Sequence, residues 1–180
     1  MIEIFELNEN NVTEVGKCSG GFVIDSKLVL SQVDNHIHYE IIDIPKRTKR
    51  YRERDVNYRA YIDDPDRTIF FAYIDGQIAG QIILNKYWNN YAYIQDIAVD
   101  VRFRRQGVGK ALMERAKQWV HKQNLPGIML ETQDINVAAC KLYESCRFKL
   151  RGFDTHLYKG IEHISDEIAL YWYYLFEGNT

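Results

Sequence analysis

One stretch, Tyr91 to Lys122, restricts what this chain can fold into more than any other. It reads YAYIQDIAVDVRFRRQGVGKALMERAKQWVHK. Its first part, Tyr91 to Val99, is rich in aromatic and β-branched residues and predicts a buried strand. A short polar link follows, carrying Arg102, Arg104 and Arg105. After Gly107 and Gly109 the pattern changes period. Val108, Leu112, Ala116, Trp119 and Val120 recur at helical spacing, while Lys110, Glu114, Lys117 and Lys122 point elsewhere. The unit is a strand, a basic glycine-bearing turn and a helix.

Such a turn suits an anion. The first turn of a helix has amides without intrahelical acceptors, and the helix dipole adds partial positive charge there. Glycines let the backbone come close to a ligand. A diphosphate would meet those amides together with Arg104, Arg105 and Lys110. The spacing is neither GxxxxGK[ST] nor GxGxxG, since Leu112 stands where the third glycine of the latter would be.

The rest of the chain is consistent with one globular domain. A length of 180 residues supports a real core, and 46% hydrophobic with 27% charged residues is ordinary for such a chain. The net charge of −2 does not point to a nucleic-acid binder. No apolar run approaches the ~20 residues needed to span a bilayer. The N-terminus MIEIFELNEN lacks a basic start and an apolar run, so a cytoplasmic location is expected. Cys18, Cys140 and Cys146 lack paired metal-ligand spacing and read as buried thiols. No metal is expected.

In order, Met1–Leu7 alternates as a half-buried strand would, and Asn10 or Asn11 could cap a short helix ending near Gly16. Phe22–Leu30 and His36–Ile44 read as strands, the second ended by Pro45. His36 and His38 read as surface histidines. The charged run Lys46–Arg59 reads as a solvated helix face or mobile segment, or alternatively as a basic lip for an anionic cofactor. Helical rhythm from Tyr51 through Ile62 stops at Asp63-Asp64-Pro65. Thr68–Ile74 and Gln77–Leu84, separated by Asp75-Gly76, form the clearest hairpin. Later come a strand at Ile128–Glu131, a helix at Ile135–Tyr143, and strands at Phe148–Tyr158 and Glu167–Phe176.

The segments RRQGVG, preceded by IAV, and LETQDINVAACKLYESCRF, Leu130 to Phe148, resemble the GNAT N-acetyltransferases. The resemblance runs from about Thr68 to the C-terminus. It implies an α+β fold, with a mixed, mostly antiparallel sheet of six to seven strands, flanked by helices and splayed between the fourth and fifth. A variable region over 1–45 and a core over 67–176 would make one domain, 1–180. The cosubstrate would be acetyl-coenzyme A, contacted by Ile97, Ala98, Val99, Arg104, Arg105, Gln106, Gly107, Val108, Gly109, Lys110, Asn136 and Tyr143. Tyr143 would be the general acid at the thiolate. The chain departs from the family at Arg147-Phe148, where Gly-Phe is usual.

Within that family, WNNYAYIQDIAV and the second segment resemble the streptothricin acetyltransferases, which modify an antibiotic bearing a β-lysine chain. Acetylation of an amine on that chain, giving resistance, is implied. A GNAT acting on a protein N-terminus or a small polyamine is the alternative. An ammonium of pKa near ~10.4 must lose a proton before it attacks. Asp96 and Glu131 are the candidate bases, directly or through water. By period two, Asp96 shares a face with Ile94 and Ala98, opposite Gln95 and Ile97. A polycationic substrate calls for carboxylates and aromatic faces, drawn from Asp63, Asp64, Trp88, Tyr93, Glu131, Asp134 and Asp154. The partner is thus a small cationic amine, not nucleic acid or membrane. The protein itself would be a monomer or homodimer.

Overall fold

A computed structural model describes residues 1–18, 21–50 and 56–176. Tyr51, where the expected helical rhythm begins, lies outside the described residues. Two compact units are present. One comprises 1–21, 50–128 and 175–180; the other comprises 22–49 and 129–174.

The first unit is built on strands β1 (Ile2–Glu6), β4 (Arg67–Ile74), β5 (Gln77–Lys86) and β6 (Ala92–Val99), adjacent in that order. β4 and β5 are the expected hairpin, and Asp75 and Gly76 take φ of 49° and 72°, as a tight primed turn requires. Alternation sends successive side chains to opposite faces. On one face Ile69, Phe71 and Ile83 cluster with Leu7, Val12 and Tyr61. The other face packs on α1 (Val108–Lys122), where Arg115 lies 4.3 Å from the centre of the Phe70 ring. The buried stripe of α1 includes the expected Val108, Leu112, Ala116, Trp119 and Val120.

Helix and sheet approach closely at Gly80. A Cβ there would stand 2.8 Å from Val108 Cγ1, 2.9 Å from the Ala98 carbonyl and 3.0 Å from Leu112 Cδ1. Only a glycine fits without a shift.

Two expectations for local structure are corrected. The region before Asp63 holds no α-helix among the described residues, only a 3-10 turn at Tyr58–Tyr61. Tyr58, Tyr61 and Ile62 belong to one core cluster rather than to a helix stripe. Pro45 does not end its strand. In the second unit β2 (Phe22–Val33) pairs with β3 (His36–Lys49), and the register slips between Ile24 and Ser26. Pro45 falls in that slip, where its missing N–H removes no ladder bond. Lys46–Lys49 therefore extend the strand instead of forming a solvated helix face or mobile segment.

The second unit also holds strands ordered β7 (Gly127–Gln133), β9 (Ala169–Leu175), β8 (Lys149–Asp154), with β8 and β9 antiparallel; β7 begins in the first unit. Helix α2 (Val137–Ser145) packs near β2. Arg147 adopts φ of 68°, the left-handed geometry a glycine would take at a helix exit. The three cysteines are buried and form no disulfide. Burial pushes the thiols of Cys18 and Cys140 up to about 12.

Candidate active site

In the first unit β6 runs into the basic turn. Asp100, buried, accepts from the Arg102 amide and binds its guanidinium, closing a 3-10 turn at Val101–Phe103. Arg104 donates from Nε to the Val99 carbonyl at 3.2 Å and from its terminal nitrogen to the Gly21 carbonyl. Arg104 thus braces the turn. Arg105 and Gly107 both take positive φ, 64° and 88°.

Gly107 is the N-cap of α1 and has no side chain to cap it, and the first turn carries no acidic residue. The first intrahelical bond runs from Ala111 N to the Gly107 carbonyl. The amides of Val108, Gly109 and Lys110 therefore precede the helical ladder. A Cβ on Gly107 would meet only Ile2 Cδ1, at 3.9 Å. Arg105, Gln106 and Lys110, close to Gly107 in sequence, are exposed. Uncapped amides, a positive helix end and nearby cations fit a diphosphate.

Asp96 is held rather than loose. Its Oδ2 accepts from Gln81 Nε2 at 2.7 Å, and Gln81 Oε1 accepts from the Gly16 amide at 2.9 Å. Its expected face is corrected in part. The register pairs Leu84 with Ile94 but Ile83 with Asp96, so a bulge falls at Gln95. Ile94 and Asp96 consequently face opposite ways, while Asp96 and Ala98 stay together. Ile97, Ala98 and Val99 are half-buried.

Near the start of β6, Tyr87 stacks on Tyr93 with ring centres 5.0 Å apart, and Trp88 beside them is 84% exposed. Asp64 is engaged by Arg67, whose guanidinium donates to it from Nε at 2.9 Å. That bond holds the Asp64 carboxyl below the usual carboxylate range.

The second unit carries the remaining candidates. Asn136 caps α2, its Oδ1 accepting from Ala139 N at 3.3 Å. Tyr143 is buried at 4% exposure, its ring 5.9 Å from Trp172 and 6.2 Å from Phe148. Glu131, half-buried, accepts from the Tyr158 hydroxyl, which in turn accepts from Gln133 Nε2 at 3.0 Å. Asp134 is buried, and its Oδ1 accepts from Ile168 N at 3.0 Å. It lines a cavity of about 270 Å³ with Leu28, Ser31, Phe153 and Thr155. Burial raises its carboxyl above the usual range. Asp154 accepts from His156 N at 2.7 Å and Leu157 N at 3.1 Å.

Tyr158 and Gln81 were not among the expected site residues. Each lies far along the chain from the carboxylate it touches, so neither has a local sequence signal. Among the described residues, no group of three or more His, Cys, Asp or Glu could hold a metal ion, and no helix is long and apolar enough to cross a membrane.

Residues 38–148 match the family model described as Acetyltransferase (GNAT) family. Streptothricin acetyltransferase A of Bacillus subtilis (strain 168) is 38% identical over 128 residues, which are 71% of this chain and 73% of that protein. A crystal structure from Bacillus anthracis str. Ames, assigned to the streptothricin acetyltransferases and in complex with acetyl coenzyme A, is 45% identical. It aligns with a TM-score of 0.90 over 98% of each chain. The crystal structure of nourseothricin acetyltransferase is 26% identical, with a TM-score of 0.80 over 97% of this chain and 98% of that one.

Proposed function

Because the chain belongs to the GNAT acetyltransferase family, we propose that it moves an acetyl group from acetyl-coenzyme A to an amine of a streptothricin-type antibiotic. The acceptor is an amine of the β-lysine moiety, and its acetylation gives resistance. We read 1–180 as one such domain acting in the cytoplasm, a setting with which three buried thiols outside any disulfide agree.

The observation that carries this reading is the uncapped first turn of α1 at Gly107. Its amides, with Arg105 and Lys110, take the coenzyme's diphosphate. Arg104 keeps the turn shaped. Asn136 meets the cofactor through its amide.

The chemistry then follows in order. The substrate ammonium gives a proton to a carboxylate, Glu131 or Asp96, directly or through water. The amine attacks the thioester carbonyl. A β6 amide within Ile97–Val99 stabilises the oxyanion. The C–S bond breaks as Tyr143 protonates the departing thiolate, and the second proton, shed by the attacking nitrogen as it becomes an amide, restores the phenol directly or through water. Trp88 and Tyr93 offer rings to the substrate's other cations, and Asp134 and Asp154 stay in the acidic pool. Asp64, already matched by Arg67, adds little net charge there.

A thiol-release assay with streptothricin, spermidine and an N-terminal peptide tests the reading. Selective turnover of streptothricin, with one acetyl group found on β-lysine, is expected. Turnover of only the peptide or polyamine would move the protein to that substrate class.

A further inference from the structure

We propose that Tyr158 is the positioning residue for the carboxylate of Glu131, and that Gln133 sets the direction in which Tyr158 acts. The inference rests on the acetyl-transfer reading and selects between its two candidate bases.

The argument begins with the phenol. Its oxygen accepts from Gln133 Nε2 at 3.0 Å. A hydroxyl has one proton to give, and with Gln133 as donor that proton turns toward Glu131, whose Oε1 accepts it. Both Tyr158 and Gln133 are buried, so neither reorients at small cost. Glu131 on β7 is half-buried, and a bond from a fixed phenol narrows the side-chain rotamers open to it. The turn bearing Tyr158 is itself fixed, because Asp154 accepts the amides of His156 and Leu157. Asp154 thereby acts on the site through the backbone.

This chain orients; it does not conduct. It ends in a primary amide, which releases no proton at neutral pH. The proton taken from the substrate ammonium therefore converts the Glu131 carboxylate to the acid, and it leaves from Glu131 to water after transfer. The amine nitrogen forms its bond to the acetyl carbon as the sulfur departs and is protonated. Asp96 contrasts with this arrangement. Its carboxylate accepts from the side-chain amide of Gln81, itself held by the Gly16 backbone, which makes a β5–β6 cross-brace.

Kinetics of Tyr158→Phe, Glu131→Gln and the double variant test the proposal, with any amine that the wild type acetylates. Tyr158→Phe keeps the ring and loses only the hydroxyl. It should lower kcat by roughly ten- to a hundredfold, the scale of a misplaced catalytic group, with acetyl-coenzyme A affinity held. In the Glu131→Gln background the same change should cost nothing further. Gln133→Met, which leaves the Tyr158–Glu131 bond in place, should lose less than Tyr158→Phe. Equal losses from Tyr158→Phe with and without Glu131, or unchanged kcat in Tyr158→Phe, would overturn the inference. Neither result bears on which amine is the substrate. A wild type inert toward streptothricin but active on another amine would instead overturn the antibiotic reading alone.

Discussion

Phe148 donates its amide to the carbonyl of Tyr143 at 3.0 Å and sets its ring 6.2 Å from that of the same tyrosine. Arg147 donates to the Glu144 carbonyl at 2.8 Å. The two bonds form a Schellman exit from α2, with the hydrophobic contact that accompanies such an exit. Its geometry requires the residue between them to be left-handed, and that residue is an arginine. The proposed acid therefore sits at the start of the last turn of a helix closed by a strained side chain.

Arg147→Gly should relieve that strain and stabilise the protein by about 1 kcal/mol, since glycine takes positive φ without a Cβ penalty. Urea unfolding measures it. A lower midpoint in the glycine variant would count against the strain.

Gly107→Trp should abolish useful acetyl-coenzyme A binding. It fills the space beside the uncapped amides and forces an L side chain into φ of 88°. Calorimetry should show affinity falling by well over tenfold, or more than about 1.4 kcal/mol. A folded variant with normal affinity would remove the diphosphate from this turn.

Tyr143→Phe should reduce kcat by roughly a hundredfold while leaving acetyl-coenzyme A affinity nearly unchanged, as expected for loss of a general acid. Its ring contacts with Trp172 and Phe148 survive the change. Stopped-flow thiol release would reveal unchanged turnover, and with it a purely packing role.

Trp88→Ala should raise KM for the polycationic substrate about two- to fivefold, the worth of an exposed cation–π contact. The kcat should hold. Equal effects on a singly charged amine would mean that Trp88 does not read the extra charges.

Asp134 supplies a pH signature. Burial raises its folded-state carboxyl, so the folded protein holds that proton more tightly than the unfolded chain. The resulting stability is full below the unfolded value, ~3.9, and is lost as pH rises through the higher folded value. Asp134→Asn keeps an oxygen for the Ile168 amide but carries no charge. The variant should therefore gain on wild type in urea unfolding as pH rises above the unfolded value and through the folded one. A difference that stays constant with pH would contradict this.

Most of the strand, turn and helix that form the proposed anion cradle was legible in the chain itself. The change from strand to helical period and the two glycines are local facts, and so is the Asp75-Gly76 hairpin. What escaped depends on pairing across strands. Nothing in YIQDIAV announces a bulge at Gln95, because the bulge is defined by Ile83 and Leu84 on the neighbouring strand. Pro45 looked terminal because its tolerance depends on a slip opposite Asp25. The acidic pool looked uniform, yet Arg67, the Ile168 amide and a turn's own amides had already engaged Asp64, Asp134 and Asp154.

Gly80 gives the cradle its height above the sheet. The absent methyl lets Val108, the first residue of α1, rest almost directly on β5. Any thicker residue would act as a shim under that end of the helix. It would tilt the amides proposed to meet the coenzyme, so a mutation on a buried strand could surface as a defect in cofactor affinity before the fold itself gave way.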